Sequence, residues 1–219
     1  MRKLAIWLTI IGLAAAALYG AYWWYDLRWR PKTITEHQDQ IAELLSEAGW
    51  VSPGAKGPVL YMVSFRTCPD CIRFKNEEFP RLHKAGVDTR LIEIARRDRN
   101  GMPKSTPAER ATVAELWLNR SWALSEQWDK TPVDAWTAQG IAPADGDTAR
   151  TAVVEAGREL VDKLQPLLKD NGIDFAYPLL IWWNEKGEMR GCACEKRETY
   201  RFVREELGAS KDKGVGTRD

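Results

Sequence analysis

Cys68 and Cys71, in the stretch Thr67-Cys68-Pro69-Asp70-Cys71, are the residues whose types and spacing best support chemistry. They follow the apolar run at residues 59–65 and precede a helical pattern starting near Ile72. That order predicts a strand turning tightly into a helix, with the Cys68 thiol presented to solvent at the helix N-terminus. Unpaired backbone N–H groups at that end favour the thiolate, the reactive form of cysteine. Cys71 lies one turn further on, near enough to attack a mixed disulfide formed on Cys68. Such a pair supports thiol–disulfide exchange.

The elements that must position this pair follow from pattern and punctuation. Thr35 with Gln38 reads as a capping box opening an amphipathic helix, with Ile34, Ile41, Leu45 and Ala48 on one face and Gly49 after it. Residues 59–65 are apolar except for Ser64, as a strand buried on both faces would be. The helix after Cys71 is expected to turn Ile72, Phe79 and Leu82 inward and to kink or end at Pro80. Residues 87–94 read as a second strand, parallel to the first through a right-handed crossover. Thr106-Pro107-Ala108-Glu109 supplies an N-cap, an N1 proline and an N3 acid, and Thr131-Pro132-Val133-Asp134 repeats that signature. A helix is expected over about 148–170, with Pro166 as a kink and Asn171-Gly172 as its stop. A short strand at 179–183, a turn at Asn184-Glu185-Lys186-Gly187, a returning strand at 188–194 and a helix over 195–207 complete the pattern.

An appendage precedes this domain. Residues 4–25 carry no charge and as a helix would span about 33 Å, close to a bilayer core of roughly 30 Å. Arg2 and Lys3 come before it, and Trp23, Trp24, Tyr25 and Trp29 gather at its far end, where aromatic rings favour the membrane interface. The reading is an uncleaved anchor in residues 1–30; a cleavable signal segment is the competing one, since small residues at 14–17 and 20–21 offer a cleavage site. Residues 31–57 are then an amphipathic helix and linker, 58–207 the folded domain with a helical insert at about 103–170, and 208–219 a disordered tail. Four cysteines in two close pairs suit an oxidising compartment. The expected placement is a single pass through a bacterial inner membrane with the domain in the periplasm.

The order of elements, with Thr67-Cys68-Pro69-Asp70-Cys71 at the first strand-to-helix junction and Tyr177-Pro178-Leu179-Leu180 opening a later strand, resembles the thioredoxin fold. Within it the chain from residue 59 to 207 looks most like the catalytic domain of the bacterial DsbC/DsbG-type disulfide interchange proteins. The insert beginning Thr106-Pro107-Ala108-Glu109 and the Gly187-Glu188 hairpin are part of that likeness. The fold class expected is α/β, thioredoxin-like, with the helical insertion between the CxxC half and the cis-proline half. The resemblance implies that Cys68 is the nucleophile, Cys71 the resolving thiol, and Pro178 a cis-proline facing them. Tyr177 and Pro178 would then border the substrate, a proline having no N–H and leaving the preceding backbone free to pair with an extended chain. Isomerase-type members carry an N-terminal dimerisation domain, whereas here only residues 26–58 separate the apolar segment from the first core strand; the expectation is exchange. Tyr177 also stands where a small or aliphatic residue is usual.

Arg66, Pro69 and Asp70 are expected to modulate the pair. Lowering a thiol from near 8.5 to about 5 takes roughly 5 kcal/mol, while a helix terminus supplies about 0.3–2. Asp70 opposes the remainder with a negative charge and Arg66 compensates only in part. A moderately depressed Cys68 and a potential more reducing than that of a DsbA-type oxidant follow. Cys192-Ala193-Cys194 should return to the same edge of the sheet, about two strand spacings or roughly 10 Å from Cys68. The pair reads either as an auxiliary redox pair or as a static bridge.

A net charge of +1 with interspersed signs argues against a nucleic-acid surface, and the cluster Arg96, Arg97, Arg99 reads as a solvated loop. No dissociable cofactor and no metal is expected. Partners are protein thiol or disulfide clients and a membrane or soluble redox partner. The alternative is a thioredoxin-like copper or zinc chaperone using both cysteine pairs, although His37 and His83 are not placed to help. Trp117, Trp122, Trp128 and Trp136 in the insert are read as core packing.

Overall fold

With no charged side chain from Leu4 to Tyr25 to interrupt it, the start of the chain forms one helix, α1 (Arg2–Tyr25), closed by a 3-10 turn at Leu27–Trp29. A computed structural model describes residues 2–209, with side chains from residue 6, and divides the chain into two units, residues 1–31 and 32–219. In the first unit Ile6–Trp29 is long and apolar enough to cross a membrane, a test a signal sequence at this place would also meet. At its end the Arg28 guanidinium lies 4.2 Å from the ring centres of both Trp24 and Trp29. Arg30 pairs with Asp26 at 2.6 Å. These contacts gather the aromatic and cationic side chains into a collar. The tail expected to be disordered falls at 210–219, outside the described residues, apart from Gly208 and Ala209.

The second unit runs β1 (Lys32–Thr33), α2 (Gln38–Glu47), β2 (Val59–Ser64), α3 (Pro69–Lys84), β3 (Asp88–Glu93), α4 (Pro107–Asn119), α5 (Trp122–Lys130), α6 (Thr148–Asp170), β4 (Leu179–Trp183), β5 (Met189–Ala193) and α7 (Arg197–Glu206). The five strands form one sheet in the order β1-β5-β4-β2-β3, with β2 and β3 parallel and the other neighbours antiparallel. This mixed sheet with its helices fits a thioredoxin-like fold. Three helices, α4 to α6, and a 3-10 turn lie between β3 and β4. The Tyr177–Pro178 peptide is cis.

Alternation along β2 sends Leu60 and Met62 into one apolar cluster with Cys71 and Phe74 of α3, Leu180 and Trp182 of β4 and Tyr200 of α7. Tyr61 and Val63 enter the other, with Ile41 and Leu45 of α2 and Leu160 and Leu164 of α6. Trp117 packs against both, and its indole N–H donates to the Glu93 carbonyl at 2.8 Å. The insert is thereby seated on the sheet.

Several local expectations fail for identifiable reasons. The Thr35/Gln38 capping box does not form, because the Ile34 N–H is held by the Met189 carbonyl and keeps the chain extended. The helix starts at Gln38 after His37 in the left-handed region, and the Asn171 side-chain oxygen accepts from the amides of Thr35 and Glu36. The Thr106 capping box forms in full, with Glu109 reaching back to the Thr106 amide at 2.7 Å. Its repeat at Thr131 yields only the turn Val133–Ala135: the Thr131 hydroxyl already donates to the Gln127 carbonyl as α5 ends. Pro80 does not end α3, which continues to Lys84 with Pro80 on its exposed face. Ile72, expected inside, is 37 % exposed, since the inner face of α3 runs through Cys71, Phe74, Lys75, Glu78 and Leu82.

Gly49 lies against the Trp117 ring so closely that a Cβ there would collide with it. Gly49→Ala is expected to cost about 1–3 kcal/mol in denaturant unfolding. Unchanged stability would mean that Trp117 is not seated as described.

Candidate active site

β2 ends at Ser64, and the Cys68 amide turns back to the Phe65 carbonyl at 3.1 Å, so that α3 opens with Cys68 as its N-cap and Pro69 as its first residue. The Cys68 sulfur accepts from the Cys71 amide at 3.1 Å and is joined to the Cys71 sulfur in a disulfide with Cα atoms 5.2 Å apart. The thiol position expected at the surface is 2 % exposed, and Cys71 is fully buried. Bonding to Cys71 folds the Cys68 sulfur onto the helix end, leaving Thr67 and Pro69 exposed on either side.

The strand register brings the proline segment alongside. Val63 pairs with Leu179 in antiparallel fashion, which sets Pro178 beside the end of β2. The Tyr177 ring meets the Phe65 ring edge-on at 5.0 Å and the Phe175 ring at 5.1 Å. Burial pushes the Tyr177 phenol up to about 12, against the pull of the Arg96 cation, so the ring is a neutral wall at physiological pH. Cys194 follows β5 and its amide donates to the Pro178 carbonyl at 2.9 Å. Cys192 and Cys194 are themselves joined, with Cα atoms 5.2 Å apart, and both are buried in the cluster that holds Cys68 and Cys71. The two pairs thus meet one core, and the second is attached by a backbone bond to Pro178.

The polar surroundings of α3 were only partly visible in the sequence. Asp70 is paired with Arg73 at 2.6 Å, and Arg73 also donates to the Glu195 carbonyl and, at 3.3 Å, to the Tyr200 hydroxyl. Arg66, expected to offset Asp70, instead faces the insert: it is 6 % exposed, lies over Trp128, donates to the Thr131 carbonyl and is 3.5 Å from Asp129. Arg73 takes the role assigned to Arg66, and its i, i+3 spacing from Asp70 was the available signal. Beneath the helix Lys75 is 8 % exposed and bonded to Glu93 at 3.1 Å and Asp129 at 2.6 Å. Burial alone would lower the Lys75 ammonium, but the two carboxylates outweigh it and hold it above the ordinary lysine range. A lysine on the helical face of Cys71 and a glutamate directly after the apolar pair Leu91-Ile92 are the clues to this pair.

All four cysteines are bonded in pairs, and no group of three or more His, Cys, Asp or Glu is arranged to hold a metal among the described residues. His83 bonds the Thr89 hydroxyl at 2.7 Å and His37 pairs with Asp170 at 3.1 Å. Neither histidine approaches a cysteine pair. The metal reading is not favoured.

No protein-family model and no curated protein matches the chain. Among solved structures it is similar to BcfH of Salmonella enterica Typhimurium, with a TM-score of 0.53 and 16 % identity over 95 % of this chain and 91 % of that one. ScsC of Proteus mirabilis in a compact conformation gives 0.48 and 16 %, covering 96 % of each chain. MdbA of Corynebacterium diphtheriae, described as a thiol-disulfide oxidoreductase, gives 0.37 and 15 % over 73 % of this chain and 94 % of that one. The likeness to BcfH is one of fold.

Charges near the start of α3 should tune the Cys68–Cys71 couple in opposite directions. Asp70→Asn is expected to raise its potential by about 10–20 mV and Arg73→Gln to lower it by a similar amount at low salt, as read by glutathione titration. Shifts of the same sign would refute this electrostatic account.

Proposed function

We propose that the protein is a membrane-anchored, extracytoplasmic thiol:disulfide oxidoreductase that exchanges disulfides with protein clients through Cys68 and Cys71. The observation that carries this reading is the Cys68–Cys71 disulfide at the N-terminus of α3, with the Tyr177–Pro178 segment beside it. The anchor is α1, and the domain stands on the periplasmic side of a bacterial inner membrane. The narrower kinship with DsbC/DsbG-type interchange proteins rests on the order of motifs.

In the oxidising direction a client thiolate attacks the Cys68 sulfur. The Cys68–Cys71 bond breaks, Cys71 leaves as a thiolate that takes up a proton, and a client–Cys68 mixed disulfide forms. A second client thiolate then attacks the client sulfur of that bond and releases the Cys68 thiolate, which the α3 N-terminus favours. Two electrons have passed from client to protein, and a redox partner removes them by the same steps in reverse. The reducing direction runs the sequence backwards. No dissociable cofactor is needed, because the two sulfurs hold the electrons. Tyr177 and Pro178 would border the client chain, with Pro69, Asp70 and Arg66 shaping the first turn and its support.

For Cys192 and Cys194 the static bridge is the reading taken over the auxiliary redox pair, because the Cys194 amide holds the Pro178 carbonyl and so ties this pair into the frame of the site. Replacing both by Ala should cost about 1.5 kcal/mol by loop-closure entropy while turnover survives. Loss of turnover in a variant that remains folded would instead restore the auxiliary role.

The reading is tested by insulin or scrambled-ribonuclease turnover and by trapping. Cys71→Ser should accumulate mixed disulfides on Cys68 with extracytoplasmic proteins, and Cys68→Ser should abolish both trapping and turnover. The measured potential should lie below the roughly −120 mV of DsbA. Stoichiometric copper or zinc after purification under reducing conditions, with no turnover, would establish the metal-chaperone alternative.

A further inference from the structure

Thr67, the exposed neighbour of Cys68, also forms the rim of a cleft of about 1030 Å³ walled by the loop after β3, the start of α4 and the side of α6. Pockets that enclose small ligands run to roughly 300–1,000 Å³, and a cleft of this size open at one side suits an extended peptide. Its charged lining is mostly cationic, and most of that charge is already matched. Arg97 is bound to Glu155 and to Asp162, the latter at 2.6 Å. Arg110 holds Asp145 through two bonds of 2.7 and 2.5 Å. Arg158 donates to the carbonyls of Ala95 and Arg96 and pairs with Glu155.

Two cations remain. Arg96 lies 3.8 Å from the centre of the Phe65 ring, which in turn meets the Tyr177 ring edge-on. One of its terminal nitrogens donates to the Thr67 hydroxyl at 3.2 Å, while its Nε is buried with no partner. Lys104 makes no ion pair among the described residues and lines the cleft together with Arg96, Thr67, Ser105 and Glu109. On the acidic side, Glu109 bonds the Thr106 amide and Asp98 stays exposed at the rim. The terminal guanidinium nitrogens of Arg96 and the Lys104 ammonium belong to side chains that line the cleft without an ion pair among the described residues, and such cationic donors match a carboxylate, the charge-assisted bond being among the stronger ones.

We propose that this cleft docks an acidic segment of the polypeptide being exchanged at Cys68, a carboxylate side chain seating between Arg96 and Lys104. The exchange itself rests on the function proposed above; the docking does not require it. The site would select clients or partners with Glu or Asp flanking the reactive cysteine, along the line from Cys68 past Thr67 to Arg96.

The test uses the full chain in detergent and fluorescein-labelled peptides in which Ser replaces cysteine and the flanks carry Glu, Gln or Lys. Anisotropy should show the Glu peptide binding about tenfold tighter than the Gln peptide at low salt, with the gap closing as salt screens the pair. Lys104→Gln should narrow the gap and Lys104→Glu should reverse the preference toward the Lys peptide. Equal affinity for Glu and Gln peptides, or a preference unmoved by both substitutions, would overturn the proposal. Cysteine-bearing versions separate the two readings. Exchange at equal rates with all flanks rejects the docking site and leaves the oxidoreductase standing, whereas Glu-selective binding without any exchange supports docking and rejects the oxidoreductase.

Discussion

The buried ammonium of Lys75 is the interaction on which the placement of the cysteine helix depends. It joins α3, which carries it, to Glu93 at the end of β3 and to Asp129 in α5. A charge of this kind is costly to bury alone, and breaking a buried pair typically costs about 3–5 kcal/mol, a scale that applies to Glu93 at 2 % exposed, while Asp129 at 31 % counts for less. The network therefore specifies more than it stabilises: α3 can slide or rotate on the sheet only by stranding a charge. Arg66 repeats the constraint from the other side of Cys68, tied to the same Asp129 and lying over Trp128. The turn holding Cys68 runs between two cations that are both fixed to the insert.

That arrangement explains which features were legible in the sequence. Positions governed by local rules read well: the Cys68-to-Cys71 spacing at a strand-to-helix junction, the Thr106–Glu109 capping box and the Gly187 turn, where φ is +76°. Positions decided by distant partners did not. Thr35 has the chemistry of a cap, but the strand bond from Ile34 to Met189 prevents the helix from starting there. Thr131 repeats the Thr106 pattern, yet its hydroxyl is already engaged in ending α5. Ile72 reads as a core residue because it is apolar, whereas the inner face of α3 includes Lys75 and Glu78, which pair with Glu93 and Arg204 in other elements. Arg96 read as part of a solvated loop, and only the fold sets it against Phe65 and Thr67.

The two disulfides divide the work of holding the site together. Cys68–Cys71 sits at a helix end between the exposed residues Thr67 and Pro69. Cys192–Cys194 closes the end of β5 in the same core, and the Cys194 amide grips the Pro178 carbonyl opposite. Arg73 closes the circuit, linking Asp70 on one side to the Glu195 carbonyl just past Cys194 on the other. Opening the first pair would perturb a frame that the second keeps rigid.

The shortest strand carries a practical consequence. β1 is two residues long, yet it covers the open edge of β5, with Lys32 opposite Gly191 and Thr33 opposite Arg190, and delivers Ile34 fully buried against Gly191. An uncovered strand edge is a template for self-association. Any processing or truncation that frees the domain from its apolar helix must cut before Lys32. A cut even a few residues later would remove β1 and bare the edge of β5.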